Sequence, residues 1–160
     1  MIGINIIARK EWEAVLNQFN VNIEDCNIFP FGEYFKMNLY GEDVIFYRCG
    51  VRKMNCSAFT QYMIDHFNLD KIILAGTCAG MDDRYKNLDI FFSNKLVQYD
   101  CTVKENEPLI KYSFTIAFDM SNYSNLNTGT LGTADKPVVM WKDYLEFAIK
   151  NYFDYLDYKS

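Results

Sequence analysis

The hydrophobic positions in the first half of the chain follow two periodicities, which predict strands and helices in alternation. A β-branched run over residues 2–8 is typical of a buried strand, and residues 11–19 place apolar side chains at helical spacing. Residues 29–39 and 43–49 are predicted strands, joined as a hairpin at Tyr40-Gly41-Glu42.

The remaining predicted elements continue this alternation. They are a helix over residues 54–67, strands over 71–75, 88–93 and 95–100, an extended segment over 127–133 and a final helix over 139–158, while residues 110–118 fit either a strand or part of a helix. This order predicts an α/β layer fold with a mixed central sheet. Because ligands bind beyond the carboxyl ends of the strands in such sheets, the loops after Ala8 and Ala75 are the first candidates for a site.

The composition is typical of a folded domain without affinity for polyanions. The chain has 160 residues, of which 50% are hydrophobic, and we expect a single domain over residues 1–160. The formal net charge is -5 and the basic residues do not cluster, which argues against a nucleic acid or an anionic membrane as partner. No apolar stretch approaches the ~20 residues that span a bilayer.

The cysteines and the single histidine bear on the compartment and on metals. The five cysteines are odd in number and contain no C-x-x-C pair, which favours reduced thiols in a cytoplasmic protein. The N-terminus lacks the basic start and apolar core of a secretory signal. Because His66 is the only histidine and the cysteines lack ligand spacing, we predict neither a metal nor another cofactor.

The segment Leu74-Ala75-Gly76-Thr77-Cys78-Ala79-Gly80 follows a predicted strand and is rich in small residues. Its glycines allow the backbone to approach a ligand, and the Thr77 hydroxyl can bond a sugar hydroxyl or an anion. An ordinary turn explains the glycines equally well, and neither G-x-x-x-x-G-K-[ST] nor G-x-G-x-x-G is present. Cys78 is interpreted as a small buried thiol in preference to a nucleophile, because nothing near it in sequence would activate it.

Three acidic residues have both a structural and a functional interpretation. Glu11 and Glu13 lie in a predicted first helical turn, where the helix dipole favours them and where a carboxylate could also activate water. Asp135 is either a helix N-cap or a site residue. His66 has no evident partner, so we assign it no catalytic role.

Five segments carry a resemblance to a known family. They are Ile2-Gly3-Ile4 with Glu11-Trp12-Glu13-Ala14-Val15, then Cys49-Gly50-Val51-Arg52-Lys53-Met54-Asn55, then Ile72 to Gly80, then Leu88-Asp89-Ile90 with Ser93 and Val97-Gln98-Tyr99-Asp100, and finally Gly132-Thr133-Ala134-Asp135-Lys136. In this order they resemble the nucleoside phosphorylase and nucleosidase superfamily, and most closely the methylthioadenosine/S-adenosylhomocysteine nucleosidases. The second segment is similar to the family's G-x-G-K-V-N helix start.

The resemblance implies a three-layer, Rossmann-like fold and cleavage of the N-glycosidic bond of a purine nucleoside such as methylthioadenosine or S-adenosylhomocysteine. By the resemblance, Glu11 positions and deprotonates water, with Glu13 as the reserve. The implied substrate-binding residues are Thr77, Cys78, Ala79, Gly80, Asp135, Pro137 and Val138. Pro137 departs from the family pattern, because proline cannot stack on a purine as phenylalanine does and offers no backbone N–H.

The resemblance also favours water over phosphate as the nucleophile. Phosphorylases of this superfamily place an arginine just before the glycine loop, which is Gly76 to Gly80 in this chain. The residues that precede the loop here are Ile73, Leu74 and Ala75. Arg48 and Arg52 remain alternative anion ligands. A purine nucleoside phosphorylase is therefore the less favoured alternative.

The last segments of the family pattern bear on activity. The family continues with a Met-Glu motif that grips the ribose and a Ser-Asp motif that protonates the purine, and neither is found before Ser160. The resemblance thus implies a truncated fold without its last strands and helix, with impaired hydrolysis. It leaves open an inactive nucleoside-binding or interaction protein. It also implies a place in methionine salvage and a homodimer, which would cover an exposed sheet edge.

Overall fold

The structure, a computed structural model, describes residues 1–80, 85–98, 112–115, 126–134 and 155–157. The chain divides into two compact units, Met1–Thr77 and Cys78–Tyr158, each with one sheet of described strands. A single domain over residues 1–160 stays a prediction. Among the described residues, no helix combines the length and the apolar character needed to cross a membrane.

The first unit contains the predicted alternation of strands and helices. Its elements are β1 (Ile2–Asn5), α1 (Arg9–Phe19), a 3₁₀ turn (Ile23–Asp25), β2 (Asn27–Phe29), β3 (Gly32–Leu39), β4 (Glu42–Arg48), α2 (Lys53–Phe67) and β5 (Lys71–Leu74). The sheet has the order β2-β3-β4-β1-β5, in which β1 is parallel to both β4 and β5 while β3 is antiparallel to its neighbours. The carboxyl ends of β1, β4 and β5 therefore share one edge of the sheet.

The two helices cover opposite faces of this sheet. Val44 and Phe46 of β4 pack in one buried cluster with Trp12 of α1, whereas Ile45 lies in a second cluster with Phe59 of α2. Successive residues of a strand point to opposite faces, so the two clusters lie on the two sides of β4. The first unit is thus a three-layer α/β/α arrangement, as the resemblance implied.

The second unit is a sheet of five described strands. They are β6 (Ala79–Gly80), β7 (Phe91–Gln98), β8 (Tyr112–Thr115), β9 (Asn127–Thr133) and β10 (Tyr155–Asp157), in the order β6-β10-β9-β7-β8. We expected one central sheet, and the described strands form two mixed sheets.

Two predictions in the second unit are wrong. The strands expected over residues 88–93 and 95–100 are one strand, β7, whose pairing with β9 shifts register between Ser93 and Lys95 because Asn94 is an extra residue. The end of the expected final helix is a strand, β10, which pairs with both β6 and β9. The other residues of that helix lie outside the described part of the chain.

Candidate active site

The loops that follow β1 and β5 lie side by side, as the strand order predicted. Asn5 and Leu74 are partners in the parallel register of the two strands. Just beyond them, the Ala75 N–H donates to the Asn5 carbonyl oxygen at 3.0 Å. This pairing brings the start of α1 next to the glycine loop.

Glu11 is held first by its own helix. It is the third residue of α1, and its Oε2 accepts a hydrogen bond from the Ala8 backbone N–H at 3.1 Å. Because alanine has no side-chain oxygen, this is the glutamate half of a capping box. Glu11 therefore lies in the first turn of α1, as its structural interpretation expected.

The second carboxylate oxygen of Glu11 accepts hydrogen bonds from the glycine loop. Its Oε1 accepts two hydrogen bonds from Thr77, from the backbone N–H at 2.9 Å and from the hydroxyl at 2.6 Å. Hydrogen bonds to an ionised carboxylate are short and strong compared with neutral ones. The loop is thus more than an ordinary turn, since it fixes the orientation of a carboxylate.

Gly76 lets the loop come this close to the carboxylate. A Cβ added at Gly76 would lie 3.2 Å from Glu11 Oε2, which is tighter than ordinary van der Waals contact. A larger residue would therefore push the carboxylate away from Thr77. A glycine at position 76 therefore leaves the space that the Glu11 carboxylate occupies.

Glu13, the reserve candidate, lies in a different environment. Its Oε1 accepts from Arg9 Nε at 3.0 Å in an exposed pair one helical turn apart. Exposed pairs of this kind contribute little to stability. The geometry therefore favours Glu11 over Glu13 as the site carboxylate.

The other predicted site residues belong to the second unit or lie outside the described residues. Cys78 is exposed, so its interpretation as a buried thiol is wrong. Ala79 and Gly80 form β6, and a Cβ at Gly80 would lie 2.7 Å from Tyr85 Cβ. Asp135, Pro137 and Val138 lie outside the described part of the chain. The binding roles of all these residues stay predictions.

Arg48 and His66 have partners outside the candidate site, and Arg52 lies at the start of α2. Arg48 Nε donates to Glu33 Oε1 at 2.7 Å, so its charge is offset by a carboxylate. Arg52 immediately precedes α2 and has an unusual backbone, with φ 95°. His66 is exposed and stacks on Tyr62 with ring centroids 5.0 Å apart.

Sequence reasoning missed Asn5, which is 4% exposed. A lone amide within an otherwise apolar strand is the signal that could have found it, because buried polar groups are nearly always hydrogen-bonded. Its side-chain partners are Cys49 and Cys56.

The first unit thus has the architecture of an α/β protein with a candidate site at the carboxyl edge of its parallel strands. A family model described as the phosphorylase superfamily matches residues 8–139, and the chain belongs to that superfamily. This finding confirms the resemblance to nucleoside phosphorylases and nucleosidases.

The relatives include 5'-methylthioadenosine/S-adenosylhomocysteine nucleosidases. The protein from Staphylococcus saprophyticus is 31% identical over 104 residues, which are 65% of this chain and 45% of that protein. The protein from Tolumonas auensis is 31% identical over 101 residues, which are 62% of this chain and 44% of that protein. The matched part is less than half the length of these curated relatives.

Solved structures share the fold. The Helicobacter pylori 5'-methylthioadenosine/S-adenosylhomocysteine nucleosidase superposes with a TM-score of 0.84 at 17% identity, covering 99% of this chain and 75% of that one. The Helicobacter pylori futalosine hydrolase gives a TM-score of 0.79 at 17% identity, with 99% and 74% covered. At this identity the likeness confirms the predicted α/β fold, and the chain is shorter than both neighbours.

Proposed function

We propose that the protein hydrolyses the N-glycosidic bond of a purine nucleoside, with methylthioadenosine or S-adenosylhomocysteine as the substrate. The observation that carries this proposal is the pairing of Glu11 with Thr77 at the carboxyl edge of β1 and β5. Membership of the superfamily and similarity to proteins named as nucleosidases support it. We further propose that the protein acts as a cytoplasmic homodimer.

In this proposal Glu11 is the general base. A water oxygen bonds to the anomeric carbon of the ribose as the N-glycosidic bond breaks, and a proton of that water passes to the Glu11 carboxylate. The electron pair of the broken bond leaves with the purine, which takes a proton from solvent. The two hydrogen bonds from Thr77 hold the carboxylate in one orientation before substrate arrives. Such positioning lowers the barrier because less ordering is needed in the transition state.

Water is the proposed nucleophile in preference to phosphate. The strand before the glycine loop ends in Ile73 and Leu74, so it brings no cation to this edge. The ion pair with Glu33 leaves Arg48 poorly suited to a dianion. Arg52 is the other candidate anion ligand, and it keeps the phosphorylase alternative open to experiment.

The test follows adenine release by chromatography after incubation with methylthioadenosine. We expect release without phosphate, and we expect Glu11→Gln to lower the rate by ~10²–10⁴, the usual contribution of a general base. Glu13→Gln is the matched control, since it removes a carboxylate two residues away in the same helix, and its rate should equal that of the unmodified protein.

The other outcomes separate the alternatives. Release that requires phosphate and yields ribose 1-phosphate would identify a phosphorylase. Binding of a non-hydrolysable adenosine analogue without any release would identify an inactive nucleoside-binding protein. Absence of both binding and release would overturn the proposal, and equal rates for Glu11→Gln and Glu13→Gln would remove the role of Glu11.

A further inference from the structure

Asn5, Cys49 and Cys56 form a polar cluster within the second buried core of the first unit. Asn5 Nδ2 donates to Cys56 Sγ at 3.3 Å, and Cys49 Sγ donates to Asn5 Oδ1 at 3.4 Å. Asn5 and Cys49 are buried, whereas Cys56 is half-buried. A single side-chain amide therefore holds both sulfur atoms.

The two thiols also contact each other. A hydrogen bond with Cys56, followed by burial, raises the pKa of the Cys49 thiol. Neither of these two cysteines forms a disulfide. Cys49 follows β4, and Cys56 lies in α2. Only residues 50–55 separate the two cysteines in sequence, so joining the two sulfur atoms would close a small loop.

We propose that Cys49 and Cys56 are a redox modification site that low-molecular-weight disulfides, such as glutathione disulfide, convert to an intramolecular disulfide. Cys56 attacks first as a thiolate, because it is the more exposed thiol and follows Lys53 by one helical turn near the start of α2. Its attack breaks the S–S bond of the oxidant and releases one thiol.

Cys49 completes the exchange. It loses its proton and attacks the Cys56 sulfur of the mixed disulfide, which releases the second thiol. Two electrons and two protons thus pass from the two cysteines to glutathione disulfide, which leaves as two molecules of glutathione. No other reactant is required.

The modification reaches the candidate active site through Asn5. The disulfide removes the thiol proton that Cys49 donates to Asn5 Oδ1, and a buried amide oxygen that loses its donor is destabilised. The backbone carbonyl of Asn5 accepts from the Ala75 N–H, two residues before Thr77. We therefore expect oxidation to loosen the loop that orients Glu11.

The test is a peptide map of the full chain after incubation with glutathione disulfide and alkylation of the remaining thiols. Trypsin cleaves after the basic residues at positions 48, 52, 53 and 71. The disulfide would therefore link two separate peptides, residues 49–52 and 54–71. We expect this linked pair, and its loss on adding dithiothreitol. Cys78→Ser, the matched control at an exposed thiol, should still give the linked pair.

The map of the unmodified protein decides the question even if cysteine variants fold poorly. Glutathione attached only to Cys78, or a linked pair formed only in denaturant, would overturn the modification site. Amide exchange at Ala75 tests the coupling, since we expect faster exchange after oxidation and equal exchange would contradict it. Neither readout depends on nucleoside hydrolysis, so failure of the proposed function leaves this test intact.

Discussion

Arg52 has a backbone conformation that glycine adopts more readily. Its φ of 95° and ψ of 138° lie in a region that costs other residues about 1–3 kcal/mol. The family motif G-x-G-K-V-N has glycine at this place. Since glycine adds about 0.5–1 kcal/mol of entropic cost, we expect Arg52→Gly to raise the free energy of unfolding by about 1 kcal/mol, measured by urea denaturation.

Arg52→Ala separates backbone strain from loss of the side chain. It removes the same guanidinium and retains a Cβ, so the strain persists and no gain in stability is expected. Equal stabilisation by alanine and glycine would show that the arginine side chain, and not its backbone, is the cause.

The site residues show how far sequence reasoning reaches at this scale. Glu11 and Thr77 were identified because each follows a predicted strand, and parallel strands place such loops together. The two hydrogen bonds from Thr77 to one oxygen of Glu11 could not be predicted, because they depend on the register of β1 against β5. The exposure of Cys78 was missed for a similar reason, since spacing alone does not give the direction of a loop side chain.

The β3–β4 hairpin turns through two residues that both have positive φ. Tyr40 has φ 52° and Gly41 has φ 89°, which is the type I′ geometry that favours Asn-Gly. Tyr40 is 99% exposed, so replacing it loses no packing. We expect Tyr40→Asn to stabilise the protein by about 0.5–1 kcal/mol, because asparagine adopts a positive φ at a lower cost than tyrosine. Thermal unfolding measures this gain.

Tyr40→Val is the opposing control for the hairpin. A β-branched residue tolerates positive φ poorly, so this variant should be less stable than the unmodified protein. A melting temperature that is the same for asparagine and valine would contradict the turn assignment.

At the scale of elements, the local sequence pattern was sufficient to predict helices and strands where hydrophobic periodicity and turn residues agree. The β3–β4 hairpin, α1 and α2 were predicted because apolar spacing is bounded by turn residues. The bulge in β7 and the short strand β10 were not, since an extra residue and a three-residue strand are defined by their neighbours in the sheet. Sequence alone contains no comparable signal for such pairing.

At the scale of the whole molecule, the second buried core contains groups that must stay uncharged. Tyr47 is 0% exposed, and burial raises its pKa to about 12 against the opposing hydrogen bond to Thr60. The pKa of Cys49 is also raised, by its hydrogen bond with Cys56 and by burial. Folding therefore favours the protonated form of both groups.

The stability should consequently fall at alkaline pH. An unfolded tyrosine ionises near pH 10 and the folded one near 12, so the contribution of Tyr47 is complete below pH 10 and is lost as pH rises through 12. One pKa unit corresponds to about 1.4 kcal/mol, so Tyr47 accounts for about 1 kcal/mol of lost stability by pH 11. Urea denaturation between pH 8 and 11 measures this loss.

Tyr47→Phe isolates this contribution from every other alkaline effect. The variant keeps the ring in the core and removes only the hydroxyl, whose bond to Thr60 Oγ1 is long at 3.4 Å. Its stability should fall less between pH 8 and 11 than that of the unmodified protein, by about 1 kcal/mol. Cys49 is still present in the variant, so the decline that remains includes the ionisation of that thiol. Parallel pH curves for the two proteins would mean that Tyr47 can ionise without unfolding, and the second core would then not be the closed apolar layer that its burial indicates.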